Sequence, residues 1–313
     1  MQPRESPREM ANGRWHGLLG KWLDEKALAG KHTTCPMCGG VDRFRMDDKG
    51  GDGRWICNHC GAGDGFHLLQ HLAGMTFPEA ARYVEQHAGK VEAKPATPGR
   101  SEADVKEALQ KAWKGSQRIE RTDPVGKYLE GRCGGPVTFP SCLRYHPALP
   151  YRHDDGTSTA HPGMLAQVLG ADGKGVTIHR TYLTQDGAKA ALDPVRKLMT
   201  PTRKLENVAI RLGPVDSGWL GVAEGLETAL CASKKHGIPV WACTSAGLLK
   251  SFRPPPEVKT LYVCADNDRS FTGQAAAYEL ARVVTNLGIE CRVLMPPEEG
   301  TDWADDWKAR ASP

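Results

Sequence analysis

Apolar residues recur along this chain at two different spacings, and the change from one to the other divides it. Near the start, Trp15, Leu18, Leu19, Trp22, Leu23 and Leu28 step by threes and fours, which predicts a short amphipathic helix over 14–30. Between about 32 and 65 the apolar signal shrinks to Phe44-Arg45-Met46 and Arg54-Trp55-Ile56. An Asp- and Gly-rich loop, 47–53, separates these runs and predicts a hairpin. Asp64 then stands as N-cap to a helix through Phe66, Leu68, Leu69 and Leu72. A second helix, about 78–88, has Pro78 near its first turn and Gly89 after its end. The stretch 90–101, with two Pro and a Gly, reads as a linker.

A charged helix is predicted over 102–121. A turn-rich stretch of about 122–217 follows, whose clearest strands are 164–169 and 176–183, divided by the Asp172-Gly173 turn. From 218 the pattern becomes regular. Strands at 219–223, 240–243, 260–265 and 291–294 alternate with helices at 225–236, 245–252 and 273–287. Such alternation predicts parallel βαβ units, helices on both faces and a ligand site at the C-terminal ends of the strands. The expected architecture is an α/β multidomain chain. It has a small N-terminal domain (1–89), a linker (90–101), a basic α+β middle region (102–217) and a C-terminal parallel α/β sheet (218–313).

Composition narrows the class only slightly. The chain has 313 residues, 35 Gly and 22 Pro, which is room for two or three domains and many turns. No apolar run approaches the ~18–20 residues of a membrane span, and Met1 to Met10 lacks the apolar core of a signal peptide. Cysteines 133, 142, 231, 243, 264 and 291 are scattered and read as buried thiols of a reducing compartment, so a cytoplasmic location is expected. Residues 101–218 carry 17 Lys/Arg against 13 Asp/Glu, and 219–313 carry 10 against 12. That balance fits a nucleic-acid track beside a metal site, or an ordinary mixed surface. No G-x4-G-K-[ST] phosphate loop is present, so no helicase motor is expected.

Two close cysteine pairs, Cys35-x2-Cys38 and Cys57-x2-Cys60, stand 18 residues apart. Each pair puts two thiolates on one turn, and a hairpin brings the turns together as the four sulfurs of a closed zinc site. The alternatives are two disulfides or four idle thiols. Gly39, Gly40 and Gly61 favour the metal, because they allow a tight backbone around it. His59 is an alternative ligand, although the paired spacing prefers four sulfurs. Such a site holds a fold and performs no chemistry.

Chemistry is sought at the strand ends. Glu224 directly follows the strand at 219–223, and Asp266 and Asp268 follow the strand at 260–265. Carboxylates converging on one sheet edge repel each other unless a divalent cation lies between them, and hard oxygen ligands select magnesium or manganese. Taken singly, the two aspartates read equally as helix caps. Asp302, Asp305 and Asp306 form a third acidic cluster after the last strand; Asp302 either joins the metal site or begins a solvated helix.

Glu224-Gly225 after one strand and Asp266-Asn267-Asp268 after the next but one together resemble the toprim fold. This is the catalytic module of bacterial-type primases, topoisomerases and some nucleases. Gly273 comes five residues after Asp268, later than in many toprim sequences, which implies a longer loop beside the metal. Cys35-Pro36-Met37-Cys38-Gly39-Gly40 and Trp55-Ile56-Cys57-Asn58-His59-Cys60-Gly61 resemble the zinc ribbon of phage- and plasmid-type primases. His179-Arg180-Thr181-Tyr182-Leu183 and Lys197-Leu198-Met199 resemble the segment before toprim in primases of phages and mobile elements. The resemblance implies a DNA primase, a nucleotidyltransferase that makes short RNA primers on single-stranded DNA from nucleoside triphosphates. It implies structural zinc on Cys35, Cys38, Cys57 and Cys60, and catalytic magnesium or manganese on Glu224, Asp266 and Asp268, with Asp302 a further candidate ligand. Arg43, Arg45 and Arg54 offer charge to a template strand, and Trp55 is either a stacking platform or ribbon core. Arg180, Lys189 and Lys197 are candidates for gripping phosphates, or plain surface. A separately encoded replicative helicase is the expected partner, with no membrane. A toprim nuclease or topoisomerase and a non-catalytic DNA-binding accessory protein are the competing readings.

Overall fold

Ser6 and Glu9 close a capping box on the first helix, α1 (Pro7–Ala11). The computed structural model describes residues 5–48, 50–57, 59–94, 101–153 and 156–311, the side chains of 310 and 311 excepted. The chain divides into two compact units, 1–100 and 101–313.

In the first unit the expected single helix over 14–30 is broken. It is replaced by α2 (Trp15–Leu19) and α3 (Glu25–Leu28). The break comes from Gly20, which closes α2, and Asp24, whose carboxylate accepts from the Ala27 amide at 2.7 Å and so starts a new helix. The hairpin forms as β1 (Phe44–Met46) and β2 (Trp55–Cys57), and β3 (Gly61–Gly63) adds a third antiparallel strand. Asp64 caps α4 (Gly65–Ala73), and Thr76 with Glu79 caps α5 (Phe77–His87). Trp15, Leu18 and Leu19 pack with Phe44, Trp55, Phe66 and Leu69 in one core. Gly65 is required there, since a Cβ would lie 2.1 Å from the Trp15 ring. Of the expected linker, Lys94 donates its amide to Gly13, and 95–100 lie outside the described residues.

The second unit opens with α6 (Glu102–Lys114) and α7 (Pro124–Arg132). An antiparallel sheet follows, in the order β4 (Leu143–Arg152), β5 (Ser158–Leu169), β6 (Gly175–Tyr182), β7 (Arg196–Leu198). One face carries Met164, Ala166 and Val168 into a core shared with Tyr128 and Leu129 of α7. The other carries Leu149, Leu165, Ile178 and Tyr182 against Leu109 and Trp113 of α6.

The remainder alternates as read from the sequence: β8 (Trp219–Ala223), α8 (Leu226–His236), β9 (Val240–Ala242), α9 (Ala246–Ser251), β10 (Thr260–Cys264), α10 (Thr272–Asn286), β11 (Glu290–Leu294) and α11 (Trp303–Ala311). The strands form a parallel sheet in the order β11-β10-β8-β9. Central β8 and β10 therefore end side by side, which is where Glu224, Asp266 and Asp268 stand. Residues 209 and 210 join the two sheets, Ala209 bridging Leu169 and Ile210 bridging Ala242. Among the described residues no helix is long and apolar enough to cross a membrane.

Candidate active site and metal centre

The four cysteines meet in the first unit. Their sulfurs all lie within 4.8 Å of one another, with Cys35 to Cys60 and Cys38 to Cys57 each at 3.8 Å. Four sulfurs at about 2.3 Å from a tetrahedral zinc would stand about 3.8 Å apart, the separation of both of those pairs, so the cluster has the size of a zinc site. The Cys57 sulfur also accepts the amides of His59 and Cys60, both at 3.4 Å, which suits a thiolate. His59 is not among the clustered ligand atoms.

In the second unit β10 delivers Asp266 and Asp268 to one sheet edge, and β8 delivers Glu224 beside them. Asp266 is the electrostatic centre. Burial, then the charges of Asp302, Glu224 and Asp268, push its carboxyl up to about 7, although the Thr228 hydroxyl donates to it at 3.2 Å. Asp268 is held below the usual range. Partial burial is outweighed there by hydrogen bonds from Ser270 and from the Gly273 and Thr272 amides. Asp302 arrives through Asn267, the residue between the two aspartates. The Asn267 amide donates to the Thr301 carbonyl, its carbonyl accepts from Gly300, and its side chain donates to Pro296. Asp302 also caps α11, accepting the Asp305 amide at 2.8 Å. Among the described residues only the four cysteines already lie close enough together to hold a metal; the carboxylates supply the oxygen donors a hard divalent cation takes and would have to draw together on it.

A second charged cluster adjoins the first. Glu227, in the first turn of α8, is 3% exposed; it accepts from the Tyr128 hydroxyl at 2.5 Å and from Arg196 at 2.8 Å. Burial works against its charge, but Arg196 and Tyr128 outweigh it and hold the carboxyl down to about 2. Arg132 pairs with Asp302 at 2.9 Å. Partial burial and the charges of Arg196 and Arg132 push the Lys189 ammonium down, against the pull of Glu227 and Asp302. Arg132 thus meets the carboxylate site through Asp302, while Arg196 is held by Glu227 and Lys189 feels the charges of both Glu227 and Asp302. Replacing Glu227 by alanine should leave Arg196 and Tyr128 unpaired and destabilise the second unit by about 3–5 kcal/mol, read by urea unfolding of the full chain.

The remaining residues singled out from the sequence lie elsewhere. Arg180 and Lys197 pair across β6 and β7 on the face away from Glu227. Arg180 donates to the Leu198 carbonyl at 3.1 Å, and Lys197 lies 3.7 Å over the Tyr151 ring. On the ribbon, Arg43 is exposed, Arg45 pairs weakly with Asp47 at 3.9 Å and Arg54 pairs with Asp52 at 2.9 Å. Trp55 is 3% exposed, stacks on Phe44 and His67, and donates to the Asp64 carbonyl; its ring is ribbon core. Tyr128, Arg132, Arg196 and Glu227 escaped the sequence reading. Glu227 alone carried a signal, as a charge on the otherwise apolar face of a predicted helix.

Three family descriptions match the chain. Residues 30–66 match the zinc-binding domain of primase-helicase, 219–312 match the toprim domain, and 103–211 match a domain of unknown function, DUF7146. Among solved structures, the chain is similar to the zinc-binding and RNA polymerase domains of the Aquifex aeolicus primase. That match has 15% identity and a TM-score of 0.45, over 98% of this chain and 83% of that one. It is similar to a DNA primase domain from Pseudomonas aeruginosa at 17% identity and TM-score 0.43, over 67% and 74% of the two chains. It is also similar to the primase fragment of the bacteriophage T7 primase-helicase protein, at 14% identity and TM-score 0.39, over 90% and 96%.

Proposed function

We propose that this chain, a primase of the kind that joins an N-terminal zinc ribbon to a C-terminal toprim domain, synthesises short RNA primers on single-stranded DNA. The observation that carries this reading is that β8 and β10 end in register at Ala223 and Cys264, so that Glu224 follows one strand and Asp266 and Asp268 follow its neighbour, with the Asn267–Thr301 bridge bringing Asp302 and its partner Arg132 to the same edge. Glu224, Asp266 and Asp268 would hold magnesium or manganese, with Asp302 beside them. Bound there, the cation supplies Lewis-acid stabilisation of phosphoryl oxygens and a more acidic attacking 3′-hydroxyl.

The chain's own groups do the rest. Asp268, kept ionised by three donors, is a fixed negative ligand. Asp266, raised by burial and by its neighbours, would be held in its ionised form by a bound cation. Arg196, anchored by Glu227, and Lys189 are placed to neutralise the phosphates of a nucleoside triphosphate. Arg43, Arg45 and Arg54 on the ribbon add positive charge for the template backbone. Arg180 and Lys197, tied down on the opposite face of their sheet, are better suited to a distant stretch of template than to the reacting phosphates. A replicative helicase on a separate chain would supply the motor.

The test is an incubation of the full chain with single-stranded DNA, labelled ribonucleoside triphosphates and magnesium. Labelled oligoribonucleotides that disappear without the divalent cation are expected. Shortened DNA would replace this reading with a nuclease, and DNA binding without turnover would replace it with an accessory protein.

A further inference from the structure

Asp268 is followed by Arg269-Ser270-Phe271-Thr272 before Gly273, and this short loop folds back over the carboxylate. Its apex is Phe271, whose amide donates to the Asp268 carbonyl at 3.2 Å and whose φ is +57°. That left-handed turn lets the next two amides, of Thr272 and Gly273, reach the Asp268 carboxylate at 3.3 and 3.0 Å. The backbone conformation therefore serves the site, but it asks for Gly or Asn. A phenylalanine there is strained, and its side chain gains little from packing, being 70% exposed and part of none of the hydrophobic cores. Two costs at one position, with little return to folding, point to a use for the ring outside the fold.

We propose that Phe271 stacks on a nucleobase whose phosphate lies at the Glu224, Asp266 and Asp268 edge, and so positions that nucleotide for the reaction. The proposal rests on the primase reading above. An aromatic ring suits it because every base has a π-face, so stacking fixes a nucleotide without selecting its sequence. Tyr278 is also exposed, at 56%, but it stands seven residues further along α10, roughly 10 Å from the edge at 1.5 Å per residue. It provides a control.

The experiment uses the full chain with magnesium and two probes, single-stranded DNA carrying 2-aminopurine and 2-aminopurine riboside triphosphate. The probe that is quenched identifies whether the stacked base belongs to the template or to the incoming nucleotide. Phe271→Asn should weaken binding of that probe roughly tenfold, within the range of one lost base–aromatic stack, and abolish its quenching. Its thermal midpoint should equal or exceed the wild type, because asparagine accepts the left-handed turn. Phe271→Trp should retain affinity and quenching, and Tyr278→Ala should leave both unchanged. Wild-type affinity in Phe271→Asn, or an equal loss in Tyr278→Ala, would overturn the proposal. If the wild type polymerises and Phe271→Asn is indistinguishable from it, only the role of the ring fails. If the wild type never polymerises yet quenching is lost in the variant, the primase reading fails and the stacking contact stands.

Discussion

Asp266→Asn should abolish metal-dependent nucleotide incorporation, by about 10³-fold or more, while leaving the zinc content unchanged. The loss follows if the cation contributes several kcal/mol to the transition state at 1.36 kcal/mol per tenfold in rate. The same substitution should make the metal-free protein more stable at pH 8. Asp266 titrates near 7 when folded and near 3.9 when unfolded, so between those values the folded state binds the extra proton. Stability of the metal-free wild type therefore falls as pH rises from about 4 to 7 and levels off above, by at most about 4 kcal/mol. The Asn variant should lack that slope. Added magnesium should raise the wild-type melting temperature more at pH 8 than at pH 5.5, where it competes with the proton. A steep wild-type fall that persists in Asp266→Asn, or retained synthesis, would remove Asp266 from the metal set.

Cys57→Ser should strip the first unit of its zinc and of most of its structure. Cys35 and Cys57 are each 1% exposed and belong to the same core as Trp15, Phe44 and Leu69. Losing the cation therefore opens the core itself. Structural zinc contributes on the order of 10–16 kcal/mol in small zinc domains, more than a unit of this size normally holds in reserve. The expected result is bound zinc well below one per chain and loss of dispersed amide signals from residues 5–94. The second unit, whose core contains none of the four sulfurs, should retain its own signals. Template-dependent initiation should fall with the ribbon. Stoichiometric zinc in this variant would show the ligand set to be wrong.

Local chemistry explains which parts were readable in advance. The strands Trp219–Ala223 and Thr260–Cys264 are short, mostly buried apolar runs between helices, the signature of parallel strands covered on both faces, whereas Glu290–Leu294 at the sheet edge mixes Glu290 and Arg292 with apolar residues. The strand Leu143–Arg152 was not legible. It contains Pro147 and Pro150 and is bulged between His146 and Leu149, so its alternation of Leu143, Tyr145, Leu149 and Tyr151 is interrupted. The strand Gly61–Gly63 has no side-chain pattern to read, and α7 (Pro124–Arg132) carries an apolar face too short to stand out from turns.

The sequence by itself determined that the four cysteines meet and that three carboxylates stand at neighbouring strand ends, because both depend on spacing within a few residues of a turn or a strand end. Tertiary structure alone decided what surrounds them. Arg196 and Lys197 are adjacent and chemically alike, yet the pairing of Thr181 with Arg196 and of Arg180 with Lys197 sends them to opposite faces of one sheet. Strand register has a period of two, so a choice of one residue separates the cation that meets Glu227 from the one that lies on Tyr151. Asp302 likewise reaches Asp266 through hydrogen bonds to Asn267 that join residues about 30 positions apart. No local pattern encodes such a distance, and only the closed sheet makes it short.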